Sequence, residues 1–295
     1  MAERSMTAAR SADGDGDTNT PAANTNGAYA KGLGRACAGA IIFGLPLLMT
    51  MEMWTLGFAI HPVRLFIFVV LNFAVLTILS RFGGFEPTET IAEDILDALG
   101  AYAVGITISA LSLVGLGLIT DETPLHQLAG MIAVQSVPTS FGAMLARKQL
   151  GDGDSEKREE EEMRSTGYAG QLFLMLAGAL FLAFNVAPTE EVVLIGLKMT
   201  AWHTLALILV SLMVLHVLVY TVGLPGQEDA PEGYGTARVF WAFTCPGYAV
   251  AMLVSLFVLW TFGRIDGAAL DVIAGNMVVL GFPASVGAAI ARLVV

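Results

Sequence analysis

Cysteine, charge and lysine are all scarce in this chain. Of its 295 residues only 2 are cysteine and 14% are charged, with 15 Lys and Arg against 26 Asp and Glu. Cys37 and Cys245 both fall inside apolar stretches and read as reduced packing residues, which leaves no disulfide framework and no cysteine metal motif. The net charge of −11 argues against nucleic acid as a partner and against docking on an anionic lipid surface. Catalytic signatures are missing as well: there is no Gly-rich phosphate loop ending in Lys-Ser/Thr, no His-Glu-x-x-His helix, no Gly-x-Ser-x-Gly elbow and no paired Asp-rich motif. No cofactor is expected and no metal is assigned. The last three apolar spans contain no lysine, which removes the anchor that a retinal protein needs; Lys198 lies just before the sixth. No basic segment, short apolar core and cleavage site opens the chain, so no cleavable signal is expected.

What is abundant is apolar side chain. With 55% hydrophobic residues and a mean hydropathy of +0.69, there is too little polar residue to cover a water-soluble globule. The expected fold is an all-α, polytopic integral membrane protein. Windows of about 20 residues predict eight transmembrane helices, near Leu33–Phe58, Val63–Ser80, Leu99–Thr120, Leu125–Ala146, Tyr168–Ala187, Ala201–Val222, Ala237–Gly263 and Ala269–Val295. An even number puts both termini on one side. Twelve basic residues, from Arg4, Arg10, Lys31 and Arg35 through Arg81 and the central loop to Arg238 and Arg292, share that side, against Arg64, Lys198 and Arg264 on the other. The excess predicts cytoplasmic termini in a plasma-membrane protein.

An internal match divides the chain. Pro138-Thr139-Ser140-Phe141-Gly142-Ala143-Met144-Leu145-Ala146-Arg147 and Pro283-Ala284-Ser285-Val286-Gly287-Ala288-Ala289-Ile290-Ala291-Arg292 share six of ten residues at an offset of 145. Tyr102-Ala103-Val104, Ser109 and Gly117 recur as Tyr248-Ala249-Val250, Ser255 and Gly263 at 146, and Ala38-Gly39 finds an echo in Ala169-Gly170. The expected organisation is two parallel four-helix repeats, residues 33–147 and 167–295, about a pseudo-twofold axis along the membrane normal. Residues 1–32, with Asp13-Gly14-Asp15-Gly16-Asp17, read as a disordered acidic tail. Residues 148–166, with Gly151-Asp152-Gly153-Asp154 and Glu159-Glu160-Glu161-Glu162, read as a charged cytoplasmic linker. Asp-Gly-Asp here lacks the spaced ligands and terminal Glu of a calcium loop.

Candidate site residues are the polar ones at membrane depth, where they are costly unless they face protein, water or a partner. Glu52 is the sharpest, being the one acidic residue well inside an apolar run. One reading makes it a cation or proton ligand, helped by a carbonyl that Pro46 frees in kinking the helix. The other carries it to the outer interface beside Trp54, about 25 Å along a helix from Arg35. His203 and His216 stand about 220° apart around the sixth span, which argues against a paired metal site. They are either proton-relay groups or, respectively, a cap beside Trp202 and an interhelical bonding pair with Tyr220. Asn72, Gln135, Asn185 and Asn276 are candidates for bonds across helices. Pro138 with Ser140, and Pro283 with Ser285, either line a path on the axis or serve close packing. The acidic stretch Glu86–Leu99 reads as an interfacial segment that concentrates cations or only solvates the surface.

The run Gly44-Leu45-Pro46-Leu47-Leu48-Met49-Thr50-Met51-Glu52-Met53-Trp54, the eight spans and the Pro-x-Ser-x-Gly-Ala ends resemble an uncharacterised family of prokaryotic integral membrane proteins, a domain of unknown function, over residues 30–295. The resemblance implies a multi-span inner-membrane protein and carries no substrate, cofactor or catalytic residue. The acidic linker and the few lysines fit a halophilic branch. The leading functional expectation is a channel or transporter for a small ion, proton-linked in one form, with Glu52 as cation or proton ligand and the two proline helices lining the path. The alternative is a membrane-embedded sensor or accessory protein acting on a partner through loop 148–166. An intramembrane enzyme ranks last. Expected partners are the lipid bilayer and a small ion.

Overall fold

The computed structural model describes residues 20–83, 90–149, 167–220 and 236–294. Among these every regular element is helical: α1 (Thr20–Leu48), α2 (Met51–Ala59), α3 (Pro62–Gly83), α4 (Ile91–Gly115), α5 (Leu125–Gln149), α6 (Tyr168–Val186), α7 (Glu191–Lys198), α8 (Ala201–Tyr220), α9 (Thr236–Val239), a π-helical turn (Phe240–Thr244), α10 (Cys245–Thr261) and α11 (Leu270–Val294). Eight stretches are long and apolar enough to cross a bilayer, at Ala30–Leu48, Pro62–Arg81, Ile91–Gly115, Leu125–Ala146, Tyr168–Val186, Ala201–Tyr220, Ala237–Thr261 and Leu270–Arg292. The expected membrane class and span number hold.

Three boundaries differ from expectation. The first span stops at Leu48, not Phe58, because Thr50 is extended (φ −91°, ψ 132°) and its hydroxyl donates to the Leu47 carbonyl at 2.7 Å. Chain beyond this break forms the separate α2. The third span starts at Ile91, where Thr90 and Glu93 exchange side-chain and backbone hydrogen bonds in a capping box. The acidic stretch expected as an interfacial segment is therefore the first turns of α4 from Ile91 on; Glu86 and Glu89 lie outside the described residues. Finally, α1 begins at Thr20, within the expected tail, and residues 1–19 and the linker from 150 to 166 are also outside them.

Packing is organised by glycine contacts. A Cβ on Gly39 would stand 2.3 Å from the Gly142 carbonyl oxygen, and one on Gly178 would stand 2.2 Å from that of Gly287. Such contact of backbones is how helices associate where lipid offers no hydrophobic drive. The glycine that packs in α6 is thus Gly178 after Ala177, not Gly170, which lies in the first turn of that helix. Along α1 the neighbours on α5 descend from Gly142 at Gly39 to Thr139 at Gly44, so the two run antiparallel. Gly57 of α2 meets Met131, whose neighbour Gly130 abuts the Gly57 carbonyl, so α2 crosses the start of α5 instead of continuing α1. Correspondingly, Gly196 of α7 lies against Asn276 of α11. Gly117 and Gly263, both at φ +71°, end α4 and α10 in Schellman turns, with Leu118 N–H on Leu113 and Arg264 N–H on Leu259.

Residues before and after the linker meet along a phenylalanine seam. Phe43 packs on Phe181 and Phe68 on Phe184, each at 5.0 Å between ring centres, while Phe141 reaches both Phe181 and Phe184. Edge-on geometry, with ring planes at 83° and 86° in the two closest pairs, is the favoured arrangement of aromatic quadrupoles. At one end of the seam Arg64 grips Asp266.

Candidate functional site: a buried polar ladder in the first half

Four helices of the first half meet along a line of uncharged polar groups. Gln135 Nε2 donates to the Gly44 carbonyl at 2.8 Å, joining α5 to α1. One turn on, Thr139 bonds the carbonyls of Gln135 and Gly105 and lies 3.0 Å from the Ser109 hydroxyl of α4. Beside it, Asn72 Nδ2 reaches Tyr102 Oη at 2.7 Å and Ser140 Oγ at 3.2 Å. Tyr102 donates to the Val69 carbonyl and Ser140 to that of Val137, so both hydroxyls act as acceptors toward Asn72. This fixes the amide orientation. Both Asn72 N–H groups are used, and Oδ1, on a residue 2% exposed, meets no donor among the described residues.

The ladder has charged ends. Below Tyr102 by about two turns of α4, buried Asp94 holds Arg81 through Nε at 2.9 Å, and Asp97 accepts from Ser80 at 3.1 Å. At the opposite end Glu52 occupies the first turn of α2, partly exposed, where a carboxylate is favoured by the helix dipole. It therefore sits past the end of the first span, not at mid-depth within it.

The second half keeps fewer polar groups here. Ser211, Ser255 and Ser285 are fully buried; Ser255 and Ser285 bond carbonyls of their own helices, at Ala251 and Phe282. A further cluster of polar groups lies at the end of the half that holds the π-helical turn. Pro246 has no N–H for the Ala242 carbonyl four residues back, and that carbonyl accepts from the Tyr168 hydroxyl at 2.8 Å. His216 Nδ1 lies 2.9 Å from Thr244 Oγ1, and its ring stands 5.5 Å from both Tyr220 and Phe240. Buried Arg292 lies over the Tyr220 ring. His216 and Tyr220 are thus brought together, but the hydrogen bond of His216 goes to Thr244.

The remaining candidates are dispersed. His203 is exposed and closes the start of α8 with Thr200: its Nδ1 accepts from the Thr200 N–H and lies 2.9 Å from the Thr200 hydroxyl. Asn185 bonds the Phe181 carbonyl in its own helix, and Asn276 lies fully buried with neither amide atom paired. Pro138 and Pro283 lie within α5 and α11, which share no extensive contact, so Ser140 and Ser285 do not converge. Cys37 and Cys245 are free. No three His, Cys, Asp or Glu side chains converge as a metal set among the described residues. Reasoning from sequence singled out Asn72, Gln135 and Ser140 but missed Tyr102, Ser109 and Thr139 as their partners. Tyr102 and Ser109 did carry a signal, since both recur in the internal match.

An eight-span, all-helical chain with polar groups buried at membrane depth is matched over residues 32–295 by the family described as "Putative integral membrane protein (DUF2391)". The chain belongs to this family. Membership in DUF2391 agrees with the multi-pass architecture and covers all eight spans, the first from Gly32 on, with the Gly44–Trp54 run and both Pro-x-Ser-x-Gly-Ala segments. No curated protein and no solved structure is significantly similar to it.

Proposed function

We propose that this DUF2391 protein moves a small cation or protons across the plasma membrane along the ladder of its first half. The observation that carries the reading is Asn72 Oδ1, an acceptor buried at membrane depth with no donor. Leaving such a group unmet costs about 1–3 kcal/mol, and a passing cation, hydronium or water removes that cost. Above the orphan oxygen lie Thr139, Gln135 and then Glu52; below it lie Tyr102 and the Asp94–Asp97 pair. The phenylalanine seam disfavours a path on the axis between the halves, so Pro138 and Pro283 act here as packing residues. Ser140 stays on the path as a ligand of Asn72, whereas Ser285 is its vestige. His216 with Tyr220 is assigned a secondary, proton-exchanging role at the cytoplasmic side.

We further propose that the halves are diverged copies. The paired contacts Gly39–Gly142 and Gly178–Gly287, and the paired Schellman turns at Gly117 and Gly263, support this. Cytoplasmic termini follow from the excess of basic residues on that side. The acidic, lysine-poor composition supports a high-salt habitat.

The test is charge movement in proteoliposomes at high salt, under gradients of protons, sodium, potassium and calcium, comparing wild type with Glu52→Gln and Asn72→Leu. Current in wild type that is lost in folded Asn72→Leu supports the ladder. Current that survives both changes places the path elsewhere. Absence of current under every gradient moves the assignment to a sensor or accessory protein working through loop 148–166.

A further inference from the structure

A second site lies at the far edge of the second half, where α7 turns into α8. Ile195 and Lys198 lie on one face of α7 with the extended Met199 just past its end, and His203, Leu207 and Val210 form a stripe on α8. Between them runs an open-sided groove of about 520 Å³, a size in the usual range for ligand sites. Its lining is otherwise apolar, and Lys198 and His203 flank the turn that joins the two helices. Lys198 is exposed and has no ion-pair partner among the described residues. Because His203 Nδ1 accepts from the Thr200 N–H, the neutral ring carries its proton on Nε2, which is left as a donor. The same turn leads into the N-terminus of α8, whose dipole favours an anion. Trp202, 81% exposed beside it, is the residue type that settles at headgroup level.

We propose that this groove binds one glycerophospholipid, with an acyl chain along Met199, Leu207 and Val210 and the phosphodiester held by Lys198 and His203. The phosphate is common to anionic and zwitterionic phospholipids, and local, directional donors recognise it even though the protein as a whole is acidic. α8 is the least buried of the eight spans, so the groove opens directly onto the bilayer.

The experiment is native mass spectrometry of the delipidated full chain, titrated with phosphatidylglycerol, with a phosphate-free diacyl glycolipid of the same chains, and with glycerol phosphate. Wild type is expected to retain one phosphatidylglycerol at least about tenfold more tightly than the glycolipid, the scale of one charge-assisted hydrogen bond. Lys198→Gln should lose that preference. Ala206→Trp, which fills the groove wall, should weaken both lipids, and thermal melts verify that each variant is folded. Equal retention by wild type and folded Lys198→Gln overturns the proposal, as does displacement by glycerol phosphate alone. A dimer that forms through α8 without lipid overturns it as well.

Discussion

Arg64 and Asp266, 202 positions apart in sequence, are joined by two parallel hydrogen bonds of 2.8 and 2.9 Å. The guanidinium also lies 5.0 Å from the centre of the Trp260 ring. This bidentate pair ties the start of α3 to the turn before α11 across the phenylalanine seam. Its side chains are 22% and 55% exposed, so salt screens it. Asp266→Asn is expected to lower the melting temperature slightly in dilute salt and hardly at all near 1 M salt. The reversed pair Arg64→Asp with Asp266→Arg should recover part of the loss, since a carboxylate at 64 cannot lie over Trp260. Equal losses at both salt levels would mean that the pair contributes through packing, not charge.

Close backbone contact predicts two severe substitutions. A Cβ at position 142 would lie 2.5 Å from the Gly39 carbonyl oxygen, and one at 287 would lie 2.2 Å from that of Gly178. Backbone cannot move aside as a flexible side chain can, so Gly142→Ala and Gly287→Ala should each destabilise by about 1–3 kcal/mol or more. Gly32→Ala, which meets nothing within 4 Å, should be neutral or slightly stabilising. Unfolding in mixed detergent ranks the three, and a neutral Gly287→Ala would contradict the packing of α6 on α11.

At Asn72 stability and transport should separate. Leucine removes the orphan oxygen, while Tyr102 and Ser140 keep their carbonyl partners, so Asn72→Leu is expected to cost less than about 1.5 kcal/mol. Asn72→Asp places a carboxylate at mid-span and should cost several times more in folding unless it is protonated. If the ladder conducts, the leucine variant melts nearly like wild type yet carries no current. A large loss of stability in Asn72→Leu would instead give Asn72 a structural role.

The π-helical turn offers a double-mutant cycle. Tyr168→Phe removes the donor to the Ala242 carbonyl and should cost about 0.5–1.5 kcal/mol. Pro246→Ala supplies a backbone N–H that can take the same carbonyl in α-helical register. With that amide in place, Tyr168→Phe should cost much less, giving a coupling of about 0.5 kcal/mol or more. Additive losses would mean that the proline does not leave this carbonyl for Tyr168.

Spans were legible because apolar length is a strong signal, and six of the eight both begin and end close to the expected residues. The break at Thr50 was hidden because Leu33–Phe58 is apolar almost throughout, and Pro46 drew attention to a kink where Thr50 ends the helix. Helix α7 fell in an expected loop, since eight residues are too few for a span. Asn72, Gln135 and Ser140 were visible as polar residues in apolar runs. Their convergence was not, because it depends on the rotation of α3, α4 and α5 about their axes, which composition does not encode. For the same reason His216 was legible as a residue that bonds between helices, beside Tyr220, but the partner was not: Thr244 is delivered by a turn that only Pro246 foreshadows.

The Gly39–Gly142 contact has a further consequence for biogenesis. The first helix finds its main partner only after about a hundred more residues have been made, roughly 5–20 s at ribosomal speed. During that delay its glycine face is open to lipid or to the insertion machinery. Each half of the protein thus closes only when its last helix arrives, and a nascent chain halted after α4 should remain protease-sensitive where one halted after α5 is resistant.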